Sequence, residues 1–188
     1  MALNILLTND DSHDSPLFHF AIEALASLGE LTISVPAAEQ SWQGKAMTRF
    51  GNIYAERINI HGVDVWSVSG TPADCVNLAI YQLLDQKPDI VVSGPNIGKN
   101  TGLSFMFSSG TVGACLEANI AGIPALALSQ ELKPEQFFQW GEKRAFDTET
   151  TTLPPLNDDG FLVPTESLEL EEVEISSSAM LDVEAAST

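Results

Sequence analysis

Residues 3–35 read LNILLTNDDSHDSPLFHFAIEALASLGELTISV, and this stretch decides the fold. LNILLT, residues 3–8, is a short apolar run that ends in polar turn residues, the pattern of a strand buried in a parallel sheet. Ser15 and Pro16 then supply an N-cap and a first helical residue, because Pro has no N–H to leave unpaired there. Leu17, Ala21, Leu25 and Leu28 recur at helical spacing, which predicts a helix over 16–28. LTISV, residues 31–35, is a second strand. Strand, helix and strand within 35 residues make a βαβ unit.

Working outward, the alternation continues. INI at 58–60 and VDVWSV at 63–68, separated by His61-Gly62, predict a small antiparallel insertion. Pro72 opens a helix over 72–85, PDIVVSG at 88–94 is a buried strand, and residues 95–108 read as a long loop. GTVGACLEANIAG, 110–122, is helical, IPALALS, 123–129, is the next strand, and 134–146 forms a further helix. The expected fold class is α/β: a doubly wound, Rossmann-like, mostly parallel sheet with a small antiparallel insertion.

The chain has 188 residues, which suits one domain of ordinary size, and 44% of them are apolar, enough for a core. The 26 acids and 8 bases give a net charge of −18, unevenly spread. Residues 147–188 hold 11 acids and no Lys or Arg, leaving 15 acids against 8 bases in residues 1–146. The expected organisation is therefore a Rossmann-like domain over 1–146 and an acidic, truncated or divergent C-terminal segment over 147–188. A −7 body without a basic cluster argues against binding duplex nucleic acid. The longest apolar runs fall far short of the ~18–20 residues of a membrane span. Residues 1–8 lack the basic and long apolar regions of a signal peptide, so a cytoplasmic protein is expected. Cys75 and Cys115 lie 40 residues apart with no thiol or His nearby, which predicts buried, reduced thiols rather than a zinc site.

In an open parallel sheet, ligands bind beyond the carboxyl ends of the strands. Asn9-Asp10-Asp11, Glu39-Gln40-Ser41, Ser93-Gly94-Pro95-Asn96 and Ser129 all fall there. Two adjacent carboxylates repel unless a hard cation offsets their charge. Mg²⁺ or Mn²⁺ would take Asp10, Asp11 and neutral oxygens from Ser41 or Asn96. The plainer reading of either Asp is a cap on the following helix. Ser109, Gly110 and Thr111 open a helix, where backbone N–H groups, hydroxyls and the helix dipole suit a phosphate. An ordinary N-cap is the plainer reading of that turn. In SGPNIGKN, 93–100, Asn96 and Asn100 supply amide groups, with a structural loop as the plainer reading; Lys99 offers a charge to compensate phosphate, but a lone Lys there reads first as a surface residue.

A metal beside a phosphate suggests phosphoryl-transfer chemistry with a metal-activated water. Rival chemistries lack their parts. The three His residues have no zinc spacing, and no G-x-S-x-G elbow is present. A receiver-type phosphoacceptor needs an acid at the end of a later strand, where this chain has Ser93.

The motifs ILLTNDD (5–11), EQS (39–41), SGTPADCV (69–76), PDIVVSGPNIGKN (88–100), SGTVGA (109–114) and GIPALALS (122–129) occur in one order. Over roughly residues 3–130 the chain resembles the survival protein SurE family of 5′/3′-nucleotidases. The resemblance implies divalent-metal-dependent hydrolysis of nucleoside monophosphates, with one Mg²⁺ or Mn²⁺ per subunit. It implies Asp10, Asp11, Ser41 and Asn96 as metal ligands, and Asn100 and the Ser109-Gly110-Thr111 turn beside the phosphate. Asp10, Asp11, Asn96 and Asn100 are then the candidate catalytic residues. It also implies a homodimer or higher homo-oligomer. Two departures stand out. Ser12 and Trp42 occupy positions where the family pattern, NDDG and Gln-Ser-Gly, carries Gly. Trp42 is either a base-stacking platform or a packed aromatic. Within residues 147–188 only PLNDDGFLVP bears a weak likeness to the strand that follows in the family, so the other-class alternative is a non-catalytic nucleotide- or phosphate-binding module degenerate at its C-terminus.

Overall fold

The structure, a computed structural model, describes residues 2–60 and 62–132. The helix expected over 134–146, the domain boundary near 146 and the acidic segment 147–188 lie outside the described residues.

Six strands form one sheet: β1 (Leu3–Thr8), β2 (Gly29–Pro36), β3 (Ala55–Ile60), β4 (Val63–Val68), β5 (Ile90–Ile97) and β6 (Ala125–Gln130). Their order is β3-β4-β2-β1-β5-β6. Every neighbouring pair is parallel except the β3–β4 hairpin at one edge. The doubly wound sheet and its antiparallel insertion are both present. Helix α1 (Pro16–Ala26) covers one face. Helices α2 (Pro72–Leu78) and α4 (Gly110–Ile120) cover the other, and short α3 (Leu103–Ser108) precedes α4.

Strand alternation sorts the apolar side chains onto these two faces. Ile5 and Leu7 of β1 pack with Phe18, Ala21 and Ile22 of α1, joined by Ile33, Val35 and Val92. Leu6, between them in sequence, packs with Val76, Ala79, Ala114 and Ala118 on the opposite face. Since β1 sits centrally and is buried on both sides, its run carries no exposed polar alternation.

Several boundaries differ from the sequence reading. Helix α1 ends at Ala26, so Leu28 falls outside it and is exposed. Helix α2 starts at Pro72 behind a capping box, in which Thr71 Oγ1 accepts from Asp74 N and Asp74 Oδ2 accepts from Thr71 N. It ends at Leu78 and passes into a π-helical turn over Ala79–Leu83. The largest difference concerns 95–108, read as loop. There β5 runs on to Ile97, and α3 forms over Leu103–Ser108. The register against β6 slips by one residue between Ser93 and Asn96. Gly94 makes this bulge feasible: its φ is +110°, and a Cβ there would lie 2.3 Å from Leu128 O. Pro and Gly inside SGPNIG are bulge residues of a strand, whereas periodicity alone reads them as its end.

The sheet winds outward in both directions from β1. The chain moves from β1 to β2 on one side, and after the hairpin crosses back to β5 on the other. The carboxyl ends of β1 and β5 therefore flank the topological switch point, where open α/β sheets take their ligands.

The two-faced core yields a stability prediction. Phe18 is fully buried under α1. Phe18→Ala should cost about 3–5 kcal/mol in a denaturant titration of the full chain, from lost burial and the residual cavity. A loss under about 1 kcal/mol would mean that α1 does not seal this face.

Candidate active site

Asp10 and Asp11 follow β1 at the switch point, and different elements hold them. Asp10 is buried and accepts twice from Thr111 at the start of α4. Its Oδ1 takes the Thr111 hydroxyl at 2.8 Å and its Oδ2 the Thr111 N–H at 3.2 Å. The backbone comes this close because residue 110 is Gly: a Cβ there would sit 2.8 Å from Asp10 Cβ. Asp11 Oδ2 accepts from Ile97 N at 3.0 Å, at the end of β5. One carboxylate is thus tied to α4 and its neighbour to β5.

Both carboxyls are pushed toward the protonated state. For Asp11, burial is the main cause, with the charges of Asp10 and Glu39 adding to it and the Ile97 N–H opposing, and its pKa rises to about 6. Asp10 is also raised, chiefly by burial, against the two Thr111 hydrogen bonds. Among the described residues the ion pairs are His13–Asp14, Lys45–Glu117 and Lys99–Glu131, so no Lys or Arg neutralises Asp10 or Asp11.

Ser41 and its neighbours reach the site on a loop pinned at many points. Gln40 N donates to Asp10 O at 2.8 Å, and Gly44 N to Ser108 O at 2.8 Å. Lys45 Nζ pairs with the buried Glu117 at 2.5 Å, and Asn77 Nδ2 holds the other oxygen of Glu117 at 2.8 Å. The Thr48 hydroxyl donates to Asp74 Oδ2 at 2.7 Å, and the Thr71 hydroxyl to Ala46 O at 2.7 Å. Ser41 itself donates to Glu39 Oε1 at 2.6 Å.

A cleft of about 280 Å³ opens between this loop, the end of β5 and the α3–α4 junction. Asp10, Ser41, Asn96, Asn100 and Ser109 all line it. Asp11, Gly110 and Thr111 do not line it but contact its wall: Thr111 through Asp10, Gly110 against Asp10, and Asp11 through the N–H of Ile97, itself a lining residue. Asn96 Nδ2 donates to Gly98 O at 3.1 Å, which fixes the orientation of the amide and leaves Oδ1 as an acceptor. Asn100 Nδ2 donates to Ser129 Oγ at 2.8 Å, joining β6 to the site. Ser109 Oγ caps α4 by accepting from Val112 N at 3.3 Å. Lys99 is an exposed residue that pairs with the exposed Glu131 at 2.5 Å, as the surface reading expects.

The donor set fits a hard divalent cation. It is all oxygen, with two carboxylates, a hydroxyl and an amide, and the excess negative charge lacks a basic partner. Among the described residues no three His, Cys, Asp or Glu side chains cluster as ligands, so a cation here would draw on neutral oxygens beside the carboxylates.

Some site features escaped the sequence reading. Glu39 was read only as part of a polar stretch, yet its charge bears on both Asp10 and Asp11. Phe105 lines the cleft from α3, and the apolar run LSFMF within the presumed loop was its signal. The two positions departing from the Gly pattern explain that pattern: Ser12 and Trp42 are the non-Gly residues with positive φ among the described residues, each at 63°. Each costs about 1–2 kcal/mol relative to an ordinary backbone conformation. At Ser12 the turn is held by Asn9 Nδ2, which donates to Ser12 O at 2.7 Å, and by Asp14 N, which donates to Ser12 Oγ at 3.3 Å. Cys75 and Cys115 are free, buried thiols. Burial pushes Cys115 up to about 11 and Cys75 higher still. Among the described residues no helix is long and apolar enough to cross a membrane.

Comparison with known proteins shows the family. Residues 5–184 match the family described as survival protein SurE. A protein named 5′-nucleotidase SurE from Methanopyrus kandleri is 44% identical over 131 residues, covering 70% of this chain and 50% of the relative. One of the same name from Geotalea daltonii is 46% identical over 127 residues, covering 68% and 50%. The crystal structure of the SurE protein from Aquifex aeolicus superposes with a TM-score of 0.64 at 36% identity, covering 75% of this chain and 56% of that one. The chain spans about half the length of the curated relatives it matches. It belongs to the survival protein SurE family.

The raised carboxyl of Asp11 sets a pH dependence for the metal-free protein. Its folded pKa, about 6, lies above the ordinary value, so between about pH 4 and 6 the folded state binds more protons than the unfolded state. Stability contributed by the protonated form is therefore lost as pH rises through this window. In EDTA, Asp11→Asn should stabilise the protein at pH 7 relative to wild type by on the order of 1 kcal/mol, after discount for solvent screening. The gain should vanish at pH 4. Denaturant midpoints of the two proteins at both pH values check it, and an equal difference at both would show that Asp11 does not titrate in this range.

Proposed function

We propose that the chain hydrolyses nucleoside monophosphates, with a divalent cation, Mg²⁺ or Mn²⁺, held one per subunit. One observation carries this reading. Asp10 lines a switch-point cleft with Ser41, Asn96 and Ser109 at a helix N-terminus, Asp11 meets the wall of that cleft through the Ile97 N–H, and among the described residues neither carboxylate has a basic partner. The family and the printed name of its relatives, 5′-nucleotidase SurE, support the substrate class.

In this reading Asp10, Asp11, Ser41 and Asn96 would hold the cation. When bound, it supplies Lewis acidity, offsetting phosphoryl charge and lowering the pKa of a coordinated water. The chain's own residues prepare the site for it. Thr111 locks the Asp10 carboxylate in one orientation through two hydrogen bonds, and the Ile97 N–H does the same for Asp11. A ligand set held this way loses little freedom on binding. The Ser109-Gly110-Thr111 turn takes the phosphate, with the positive end of the α4 dipole behind it. Thr111 is spent on Asp10, so its share in phosphate binding runs through that carboxylate, while Ser109 faces the cleft directly. Asn100, anchored on Ser129, stands at the same wall and orients the phosphate. The buried, free thiols suit a reducing cytoplasm.

Phosphate release from AMP, GMP and UMP with Mg²⁺ or Mn²⁺ tests the proposal. Activity should disappear in EDTA and return with either metal. Asp10→Asn should lower kcat/KM by at least about 100-fold, since it removes a charged ligand. Equal release by this variant and wild type would sink the mechanism. Saturable AMP binding without turnover by wild type would instead identify a non-catalytic nucleotide-binding module.

A further inference from the structure

We propose that Trp42 is the platform on which the base of the nucleotide stacks, an inference that rests on the nucleotidase reading and names the specificity element of the same site. Trp42 immediately follows Ser41 and lines the cleft shared by Asp10, Asn96 and Ser109. Its side chain is 68% exposed, which excludes a core-packing role. Among the described residues its aromatic neighbour is Phe105 of α3, with ring centroids 5.7 Å apart and planes tilted by 54°. Phe105 is itself half exposed and lines the same cleft. The two rings form an aromatic corner with most of the indole surface open.

The backbone holds this arrangement in place. Trp42 adopts φ of 63°, a conformation that a bulky side chain rarely takes. Strain of this kind persists only where the surroundings over-determine it. Here the Gly44–Ser108 hydrogen bond and the Lys45–Glu117 ion pair, two and three residues on, fasten the loop to α3 and α4. A large exposed aromatic held in a costly conformation beside a phosphate-sized polar cleft has the chemistry of a stacking surface.

Charge alone does not choose the occupant. Asp10 lines the cleft, Asp11 and Glu39 reach its wall through Ile97 and Ser41, and among the described lining residues Lys99 is paired with Glu131. The phosphate-binding turn and the cation serve any phosphomonoester alike, so preference among them has to come from contacts with an uncharged part of the molecule. Every base has a π-face, and stacking on an aromatic side chain tolerates any of the four. The predicted specificity is therefore for nucleoside monophosphates over non-aromatic sugar phosphates, with weak choice among bases.

The test compares AMP with ribose 5-phosphate on the full chain in Mn²⁺, for wild type, Trp42→Ala and Trp42→Phe. The ratio of kcat/KM for AMP to that for ribose 5-phosphate should fall about 10-fold in Trp42→Ala, mainly through KM for AMP. Trp42→Phe should keep the ratio within about 3-fold of wild type. An unchanged ratio in Trp42→Ala overturns the proposal. So does a parallel loss on both substrates, which would make Trp42 a residue that shapes the loop. If wild type hydrolyses neither compound, the nucleotidase reading fails on its own, and equilibrium dialysis with Mn²⁺ decides the platform. Tighter binding of AMP than of ribose 5-phosphate, lost in Trp42→Ala and kept in Trp42→Phe, supports it. Equal binding of the two compounds by wild type overturns it.

Discussion

Two neighbouring carboxylates at the end of a buried central strand constrain everything built around them. Each loses hydration there, the charge of Glu39 bears on both, Asp10 adds to the cost of ionising Asp11, and no Lys or Arg relieves them among the described residues. The fold answers with hydrogen bonds rather than charges. Asp10 is tied to the first turn of α4 and Asp11 to the last residue of β5, so the pair bridges two elements that the topology brings to one point. These bonds fix orientation but do not cancel the negative charge. A site with rigid acids and residual charge is prepared for a cation, since binding one removes the penalty without rearranging the ligands.

This demand also accounts for the small residues around the pair. Gly110 lets α4 approach until its backbone touches Asp10, and Gly94 lets β5 bulge against β6. The bulge sets Asn96 opposite Ser129, and Asn100 then reaches the Ser129 hydroxyl. The polar ends of β1, β5 and β6 are joined by these few contacts. The loop after β2 is pinned separately, by Gln40 to the Asp10 carbonyl and by Lys45 to Glu117.

Much of this was legible in the residues. The βαβ unit, the hairpin and the clustering of polar strand ends follow from periodicity and turn residues, because β1 and β5 are central and apolar on both faces. The βαβ boundaries shifted only by the usual end effects. What could not be read was non-local. SGPNIG looks like a break because Gly and Pro end most strands, and only the neighbouring β6 turns it into a bulge. Helix α3 is six residues long, too short for its period to stand out. The tie from Thr111 to Asp10 spans 101 residues and has no signature in local sequence. Glu39 was invisible as a modulator for the same reason, since its influence depends on how the loop after β2 folds back.

The two positive-φ residues connect these threads. At Ser12 the unfavourable backbone conformation is offset locally, by the Asn9 and Asp14 hydrogen bonds that close the turn beside the acids. At Trp42, among the described residues, no side-chain hydrogen bond closes the turn, and the indole is left to solvent and Phe105. A glycine would satisfy the backbone at either position at lower cost. A serine in that role contributes its hydroxyl and carbonyl to the turn, so its side chain has a structural return. A tryptophan contributes only a surface, and that surface borders the cleft that holds Asp10 and Asn96. The conformational cost at residue 42 therefore has its counterpart in binding rather than in folding, which separates the two departures from the family pattern into one that shapes the site and one that selects what enters it.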